Sequence, residues 1–289
     1  MIVLLVVYAD IWTAINVYIS DMSFVLSKDE RNQYERDGYL SPIDVFDVGE
    51  VLDLRRQFEA FEARAGDHAP ALRTDLHLLE KWAWDVVTDP RVVDRVASIL
   101  GENVLLWSMN WFIKEAGDGK YVSLHQDANY WGLEPHDVTT AWIALSDAGE
   151  ETGPMRFLPG SHRGELFDHD NTHAEDNLLS RGQVAQTTVS HAETSLAPLK
   201  AGQMSLHHVR ILHGSDTNRS SDRRVGMVLR YCGTHVRQTK GEDTAVLVRG
   251  IDQFGHFDLL DAPKDDHGTD ESLIHRDAVQ RLGKIIMQD

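Results

Sequence analysis

The sequence predicts a mainly β protein, a jelly roll buttressed by flanking helices that come first in the chain. Up to about Gly101 the apolar residues recur at the spacing of amphipathic helices. After Gly101 the chain changes to short apolar or alternating runs, rich in β-branched and aromatic residues and separated by Gly, Pro, Asp and Asn. Helices followed by many short strands are typical of this architecture.

Three helices are expected in the first hundred residues. Ser27 and Glu30 have the spacing of a capping box at a helix start, and Gly38 is expected to end that helix. The third helix has Pro90 in its first turn and Gly101 just past its end. Between them, from about residue 50, apolar residues recur at helical spacing: Val51, Leu54, Phe58 and Phe61.

The remaining chain is expected to form strands and one long connection. The polar stretch 164–194, with histidines among acidic residues, is interpreted as a loop or lid over the site. No Gly/Ser/Pro linker divides the chain, so residues 22–289 are expected to form a single domain. The candidate strands are Val104 to Ile113, Val138 to Leu145, Met155 to Leu158, Gln203 to Leu212, and Val225 to Tyr231.

The charge balance and the single cysteine limit the function classes. Twenty-eight Lys and Arg against 46 Asp and Glu give a net charge of −18, which argues against nucleic-acid and anionic membrane partners. Cys232 is the only cysteine, so an intramolecular disulfide is excluded and a reducing, cytoplasmic location is expected. No obligate protein partner is evident.

The N-terminus is apolar from Met1 to Ala9, and Asp10 then interrupts the run. A signal peptide would require Lys or Arg before its apolar run, and none is present here. The run is also too short to span a bilayer. We interpret residues 1–21 as an extension that arises from an upstream start-codon choice or is loosely attached.

A candidate metal site begins with His125 and Asp127. In a β-strand, residues i and i+2 project to the same face, so these two side chains are expected to bind one ion from one strand. His213, 11 residues before Arg224, would complete the set from another strand. Two imidazoles and one carboxylate form the ligand set of non-haem Fe(II) oxygenases, which leaves other coordination positions open.

Several stretches extend this motif in chain order: residues 122–133, 140–145, 153–162 and 212–215, followed by Asn218 and Arg224. As a set they closely resemble the phytanoyl-CoA dioxygenase family of Fe(II)/2-oxoglutarate-dependent oxygenases, from about Val25 to about Arg237. The resemblance implies a double-stranded β-helix, the cupin-like form of the jelly roll. It also implies Fe(II), 2-oxoglutarate and O2 as the reactive partners.

His213 competes with two neighbouring histidines for the role of third ligand. It precedes Gly214 and Ser215 and lies at the family's distance from Arg224. It also has the strand parity of Ile211, which His208 lacks, whereas His207 shares that parity and is the runner-up.

The resemblance implies that Arg224 anchors the distal carboxylate of 2-oxoglutarate, with Ser215 adding a hydroxyl donor. A planar guanidinium can bind a carboxylate through two charge-assisted hydrogen bonds. By the same resemblance, Asn110 and Trp142 are expected to contact the cosubstrate. The rival arginines are Arg219, Arg223 and Arg230.

The substrate side is less specific. Tyr130 and Trp131 are expected to line it, and His77, His207 and Arg156 are candidates for polar contacts. We expect a small or medium organic metabolite, such as a natural-product intermediate or an amino- or phosphonate-type compound. A phosphonate would need cations in the pocket, and the sequence does not place them.

The implied reaction is hydroxylation of an unactivated C–H bond with release of succinate and CO2. Asp127 favours this outcome, because some relatives that halogenate carry Ala or Gly at the equivalent position. Cyclisation, epimerisation and desaturation remain open as other uses of the same oxidant. So do a cupin-like isomerase or hydrolase that needs no 2-oxoglutarate, and a sensor without turnover.

Overall fold

The computed structural model describes residues 24–288, so the extension expected at residues 1–21 lies outside the described part. The helices are α1 Lys28–Asp37, α2 Val48–Ala65, α3 Ala69–Leu72, α4 Lys81–Val87, α5 Pro90–Leu100, α6 Ala128–Trp131 and α7 Thr269–Ile286. The strands up to the polar stretch are β1 Tyr39–Asp44, β2 Val104–Lys114, β3 Val122–His125, β4 Leu133–Glu134, β5 Val138–Ala144 and β6 Met155–Phe157. The later strands are β7 His169–Asn171, β8 Gln183–Ala185, β9 Ser195–Ala197, β10 Gln203–His208, β11 His213–Ser215, β12 Arg224–Gly233, β13 Arg237–Gln238, β14 Thr244–Arg249 and β15 Asp258–Leu259.

The ends of the N-terminal helices confirm the predictions. Ser27 and Glu30 make both hydrogen bonds of the capping box at the start of α1, and Gly38 follows its end in the left-handed region with φ of 81°. At α5, the Asp89 carboxylate accepts a hydrogen bond from the Arg91 N–H, and Pro90 occupies the first turn.

Two sheets pack face to face as a jelly roll, which confirms the predicted fold class. The larger sheet has the strand order β1-β10-β5-β12-β2-β14-β15, and the smaller has the order β3-β11-β6-β9. Residues of both inner faces, including Trp142 and Val228 from the larger sheet and Phe157 from the smaller, share one apolar cluster. The N-terminal helices cover the outer face of the larger sheet, where Met227 and Leu229 of β12 point.

One predicted strand is divided in the structure. The run from Gln203 to Leu212 ends as a strand at His208, the chain turns over residues 209–212, and β11 then begins in the other sheet. The apolar residues of the turn, Val209, Ile211 and Leu212, are buried because the turn crosses between the two sheets. A buried turn needs apolar residues just as a buried strand does, so its composition resembles that of a strand.

Replacing Phe58 by alanine is expected to destabilise the protein by about 3–5 kcal/mol, the usual cost of an aromatic-to-alanine change in a core. Phe58 is fully buried in α2 and stacks on Trp111 of β2 with ring centroids 3.9 Å apart. Urea unfolding measures the change. Leu52→Ala in the same helix is the control, because Leu52 is 55% exposed and its loss is expected to change stability by less than about 0.5 kcal/mol. Equal losses from the two substitutions would contradict the assignment of this packing.

Within residues 24–288, none of the helices has the length and apolar character needed to cross a membrane.

Candidate active site

Three predicted ligand side chains converge at one end of the smaller sheet. One ligand atom from each of His125, Asp127 and His213 can be chosen so that all lie within 4.8 Å of one another. The His125 Nε2 atom is 3.3 Å from one Asp127 carboxylate oxygen, and the His213 Nε2 atom is 3.8 Å from the other. The structure therefore brings together the two imidazoles and the carboxylate in the pattern expected for Fe(II).

The local route to this arrangement differs from the prediction. His125 and His213 are direct partners in the antiparallel pairing of β3 with β11, which brings their rings to a centroid distance of 4.2 Å. However, β3 ends at His125, and Asp127 has helical backbone angles as the residue before α6. The expectation that one strand carries both ligands was wrong. The helical turn, rather than strand alternation, directs the carboxylate back towards the imidazoles.

The argument from strand parity for His213 was also wrong, because His208 and His213 lie on different strands of different sheets. His213 nevertheless joins the cluster. His207 is close to it, with a ring-centroid distance of 4.9 Å. His208 points elsewhere: its Nδ1 accepts a hydrogen bond from the Arg210 N–H at 3.1 Å, and its ring packs against His162.

Backbone carbonyls orient both imidazoles of the cluster. The Nδ1 of His125 lies 2.9 Å from the Ser123 carbonyl, and the Nδ1 of His213 lies 3.0 Å from the Ile211 carbonyl. Donation from Nδ1 leaves each Nε2 lone pair free and directed at the cluster, which is the usual way that proteins fix a histidine ligand.

The electrostatics favour the protonation states that bind a metal. Burial opposes ionisation of the Asp127 carboxyl, but the hydrogen bond with His125 and the charges of the two histidines hold its pKa below the ordinary value. Burial, together with the charge of His125, lowers the pKa of His213 to about 4. At neutral pH the site therefore holds a carboxylate and a neutral His213 imidazole.

A cavity of about 370 Å³ opens from the cluster between the two sheets. It is lined by most of the predicted site residues: Asn110, Tyr130, Trp131, Trp142, His207, Ser215 and Arg224. Two predicted residues lie outside it. His77 is buried beside Trp84, and Arg156 forms an ion pair with Asp216 and lines a separate cavity. Their proposed substrate contacts have no support in the structure, since neither side chain reaches the cavity.

Arg224 is buried at one end of the cavity. Its guanidinium donates to the Gly153 carbonyl and lies 5.2 Å from the Trp142 ring centre, while its Nε has no hydrogen-bond partner among the described residues. Gly226 permits this arrangement, because a Cβ at that position would collide with the Trp142 indole. Within residues 24–288 Arg224 forms no ion pair, and Asp118 acts on its pKa only from beyond that distance. A buried cation without a contacting counter-ion is costly, so the position calls for an anion.

The rival arginines face in other directions or lie further along the cavity. Arg219 is exposed, and Arg223 forms ion pairs with Glu62 and Glu115 on the opposite side of β12. Arg230 is buried and lines the same cavity as Arg224, six residues further along the strand.

Comparison with known proteins places these features in a family. The profile described as Phytanoyl-CoA dioxygenase matches residues 34–226, about two thirds of the chain and all three candidate metal ligands. The chain belongs to the phytanoyl-CoA dioxygenase family.

The chain is similar to several known proteins and solved structures. The "Probable alpha-ketoglutarate-dependent hypophosphite dioxygenase" of Stutzerimonas stutzeri is 33% identical over 178 residues, which span 59% of this chain and 60% of that protein. The ectoine dioxygenase of Bordetella bronchiseptica is 26% identical over 231 residues, covering 71% of this chain and 75% of that protein. The structure of the non-heme monooxygenase ThoJ in its apo form has a TM-score of 0.81 and 30% identity, and covers 89% of this chain and 97% of its own.

The cofactors of the phytanoyl-CoA dioxygenase family, Fe(II) and 2-oxoglutarate, fit the residues present. The donor set of two imidazoles and one carboxylate suits Fe(II), with positions left for a cosubstrate. The buried guanidinium of Arg224, whose Nε has no partner among residues 24–288, suits the distal carboxylate of a dianion. The protein is therefore an Fe(II)/2-oxoglutarate-dependent oxidoreductase.

Sequence reasoning missed Lys114, which is fully buried beside the expected cosubstrate position. Its Nζ lies 2.7 Å from the Ser215 hydroxyl and also contacts the Asp216 carbonyl, and Lys114 is the direct cross-strand partner of Arg224. Its position directly after the predicted strand, which ends at Ile113, gave little sign of this, since a lysine just past a strand is usually solvated.

Sequence reasoning also missed α7, although Ala278, Leu282 and Ile285 give a helical spacing of apolar residues. Leu282 and Ile286 of α7 line the cavity. The polar stretch 164–194 lines it as well, through Leu178, Leu179, Ser180 and Gln183, and this stretch contains the paired strands β7 and β8.

Lys114→Met is expected to flatten the pH dependence of stability of the cofactor-free protein. Burial, aided by the charge of Arg224, lowers the Lys114 pKa from 10.5 to about 6. The unfolded chain therefore binds one more proton than the folded protein between these values, so this group's contribution to stability is full above pH 10.5 and is lost as pH falls to about 6. Urea unfolding at pH 7 and at pH 9.5 gives the free energy of unfolding. Between these two pH values it should rise by about 1 kcal/mol or more in the wild type relative to the variant. Identical pH profiles would show that Lys114 is charged in the folded state.

Proposed function

We propose that this protein is a hydroxylase that acts on an unactivated C–H bond of a small organic metabolite, with Fe(II) and 2-oxoglutarate as partners. The supporting observation is that three metal-binding side chains line one cavity with a buried guanidinium that forms no ion pair in the described part of the chain. The cavity volume of about 370 Å³ suits the cosubstrate together with a small or medium molecule.

Each side chain has a stated task in this proposal. His125, Asp127 and His213 hold the metal, while Arg224 and Ser215 bind the distal carboxylate of the cosubstrate. When bound, iron and 2-oxoglutarate supply the chemistry of this class, in which a C–H bond, O2 and 2-oxoglutarate give an alcohol, succinate and CO2. Trp142 lies against Arg224 and shields its charge from water. Tyr130 and Trp131 form the wall on the substrate side.

We assign the exclusion of water to two covering elements, the segment 164–194 and α7. The segment is tied to the ligand loop, because the Gln126 N–H donates to the His169 Nε2 at 3.0 Å and the Gln126 Oε1 accepts from the Phe167 N–H at 2.8 Å. Arg181 of the segment donates to the Gln288 carbonyl just beyond α7 at 2.7 Å. A cover held at both sides can open for substrate entry and close before oxidation.

An anaerobic titration tests the proposal. The apoprotein is loaded with Fe(II) and then titrated with 2-oxoglutarate, and a visible metal-to-ligand charge-transfer band is expected. Admission of O2 with a panel of small metabolites should then release succinate together with a product that has gained one oxygen atom. A folded, iron-loaded protein without the band would overturn the proposal and favour a cupin-like isomerase or hydrolase. A band without succinate release from any metabolite would favour a sensor.

A further inference from the structure

A row of buried polar side chains crosses the larger sheet on its cavity side. The strand register places His207 of β10 opposite Thr140 of β5, and Thr140 opposite Arg230 of β12. We call these three residues the polar row. All three line the cavity that contains the candidate metal ligands, and none is more than 8% exposed.

The polar row is incomplete in its hydrogen bonding. The His207 Nδ1, the Thr140 Oγ1 and the Arg230 Nε have no partner among residues 24–288. Buried polar atoms are nearly always hydrogen-bonded, and leaving one unpaired is unfavourable. Three such atoms on neighbouring strands, all belonging to residues that line one cavity, indicate that a polar group from a ligand completes them.

The guanidinium of Arg230 adds a charge that the protein does not balance by contact. Its Nη1 donates to the Ser108 hydroxyl at 3.0 Å, and its Cζ lies 4.7 Å from the Trp131 ring centre. In the described part of the chain, no carboxylate oxygen lies within 4.0 Å of the Arg230 guanidinium nitrogens, the limit for an ion pair. The nearby carboxyl groups are Asp127, which is committed to the metal cluster, and Asp75, whose pKa burial raises to about 7.

The charges of the loaded site leave Arg230 as the excess cation. A divalent iron, the Asp127 carboxylate and dianionic 2-oxoglutarate together carry one negative charge, which Arg224 balances. Burial lowers the Lys114 pKa to about 6, so that amine is largely neutral at pH 7. Arg230 then has no anionic partner within ion-pair distance among residues 24–288, and a buried unpaired charge is strongly unfavourable.

Arg230 is out of reach of a carboxylate that Arg224 binds. It lies six residues beyond Arg224 on β12, so their Cα atoms are about 20 Å apart at the usual rise of a strand. The distal carboxylate that Arg224 binds therefore cannot also complete the polar row. A second acidic group is needed at Arg230, which lies close enough to the metal cluster for Asp127 and Arg230 to influence each other's pKa.

We propose that the polar row binds an acidic group of the substrate, a carboxylate or phosphonate-type oxyanion. Arg230 can present two donors to two oxygens of such a group, with the Thr140 hydroxyl and the His207 imidazole as further donors. The assignment rests on the proposed function, because it requires iron and the cosubstrate to occupy the other part of the cavity. The oxidised carbon then lies within a few bonds of the acidic group, since His207 is only 4.9 Å from His213 between ring centres.

The test uses the full-length protein loaded with Fe(II) and saturating 2-oxoglutarate under argon. Benzoate, phenylphosphonate and neutral benzamide are titrated by calorimetry into the wild type, Arg230→Met and Thr140→Val. Arg223→Met is the matched control, because Arg223 lies on the opposite side of β12 and is ion-paired with Glu62. The charge-transfer band of each protein reports separately that it is folded and holds the cosubstrate.

Benzoate, phenylphosphonate or both should bind the wild type and Arg223→Met about tenfold to a hundredfold more tightly than benzamide. Hydrogen bonds to a charged group contribute about this much to affinity. Arg230→Met should lose this preference while keeping its affinity for 2-oxoglutarate, and Thr140→Val should weaken it by a smaller factor. The anion that binds more tightly identifies the chemical class of the acidic group. Equal binding of benzamide, anion binding that survives Arg230→Met, or no anion binding at all would overturn the inference. Loss of the band in the wild type would instead overturn the proposed function.

Discussion

His213→Ala is expected to weaken Fe(II) binding by more than about 100-fold, since changing even the outer partners of metal ligands commonly costs 10–100-fold. His213 supplies one of three ligand atoms that lie within 4.8 Å of one another, and its Nε2 is left free by the contact of Nδ1 with the Ile211 carbonyl. Anaerobic equilibrium dialysis with Fe(II) measures the affinity directly. The charge-transfer band with 2-oxoglutarate should disappear in the same variant.

Two neighbouring histidines provide the controls for this substitution. His208→Ala should leave Fe(II) affinity unchanged, because the His208 ring packs on His162 and lines a different cavity. His207→Ala should also retain the metal, since His207 lies beside the cluster without belonging to it. Tight Fe(II) binding in His213→Ala together with its loss in His207→Ala would transfer the ligand role to His207.

Arg224→Met is expected to raise the Kd for 2-oxoglutarate by about 30-fold to several thousand-fold, because truncating one partner of a buried charge pair costs about 2–5 kcal/mol. Methionine preserves much of the packing on Trp142 and removes the guanidinium. Titration of the iron-loaded variant with 2-oxoglutarate, followed by the charge-transfer band, gives the Kd. Iron affinity should not change, because Arg224 does not belong to the metal cluster.

Arg223→Met is the matched control for Arg224→Met. The two arginines are adjacent in sequence, but Arg223 pairs with Glu62 at 2.6 Å and with Glu115 at 2.8 Å outside the cavity. Its loss removes partly buried ion pairs that do not line the cavity, so the 2-oxoglutarate affinity should stay within about twofold of the wild type. Equal weakening by both substitutions would show a general electrostatic effect and contradict a specific carboxylate anchor at Arg224.

Local signals accounted for the parts of the fold that depend on neighbouring residues. The capping box at Ser27, the proline at the start of α5 and the apolar spacing of α2 all describe interactions within a few residues, and the structure confirms each of them. Local signals did not predict the turn over residues 209–212, which was expected to be part of a strand. Its apolar residues are buried by a crossing between sheets, and no local pattern separates that cause from a strand.

The candidate site shows the same division. The identity and order of His125, Asp127, His213 and Arg224 can be read from the chain, because the chemistry of Fe(II) and of a dicarboxylate restricts the residue types that bind them. The backbone route was not predictable, since Asp127 reaches the cluster from a helical turn. The exclusion of His77 and Arg156 from the cavity also depended on distant partners.

The sequence by itself determined the fold class, the helix ends and the set of candidate ligands, because each of these depends on residue chemistry and short-range spacing. Only the tertiary structure decided which strands pair and which side chains share the cavity. Arg230, a rival for the cosubstrate role on sequence grounds, is placed by two strand pairings in a row with Thr140 and His207. Those pairings bring together residues far apart in the chain, and burial there, rather than residue type, leaves the charge of Arg230 without a partner.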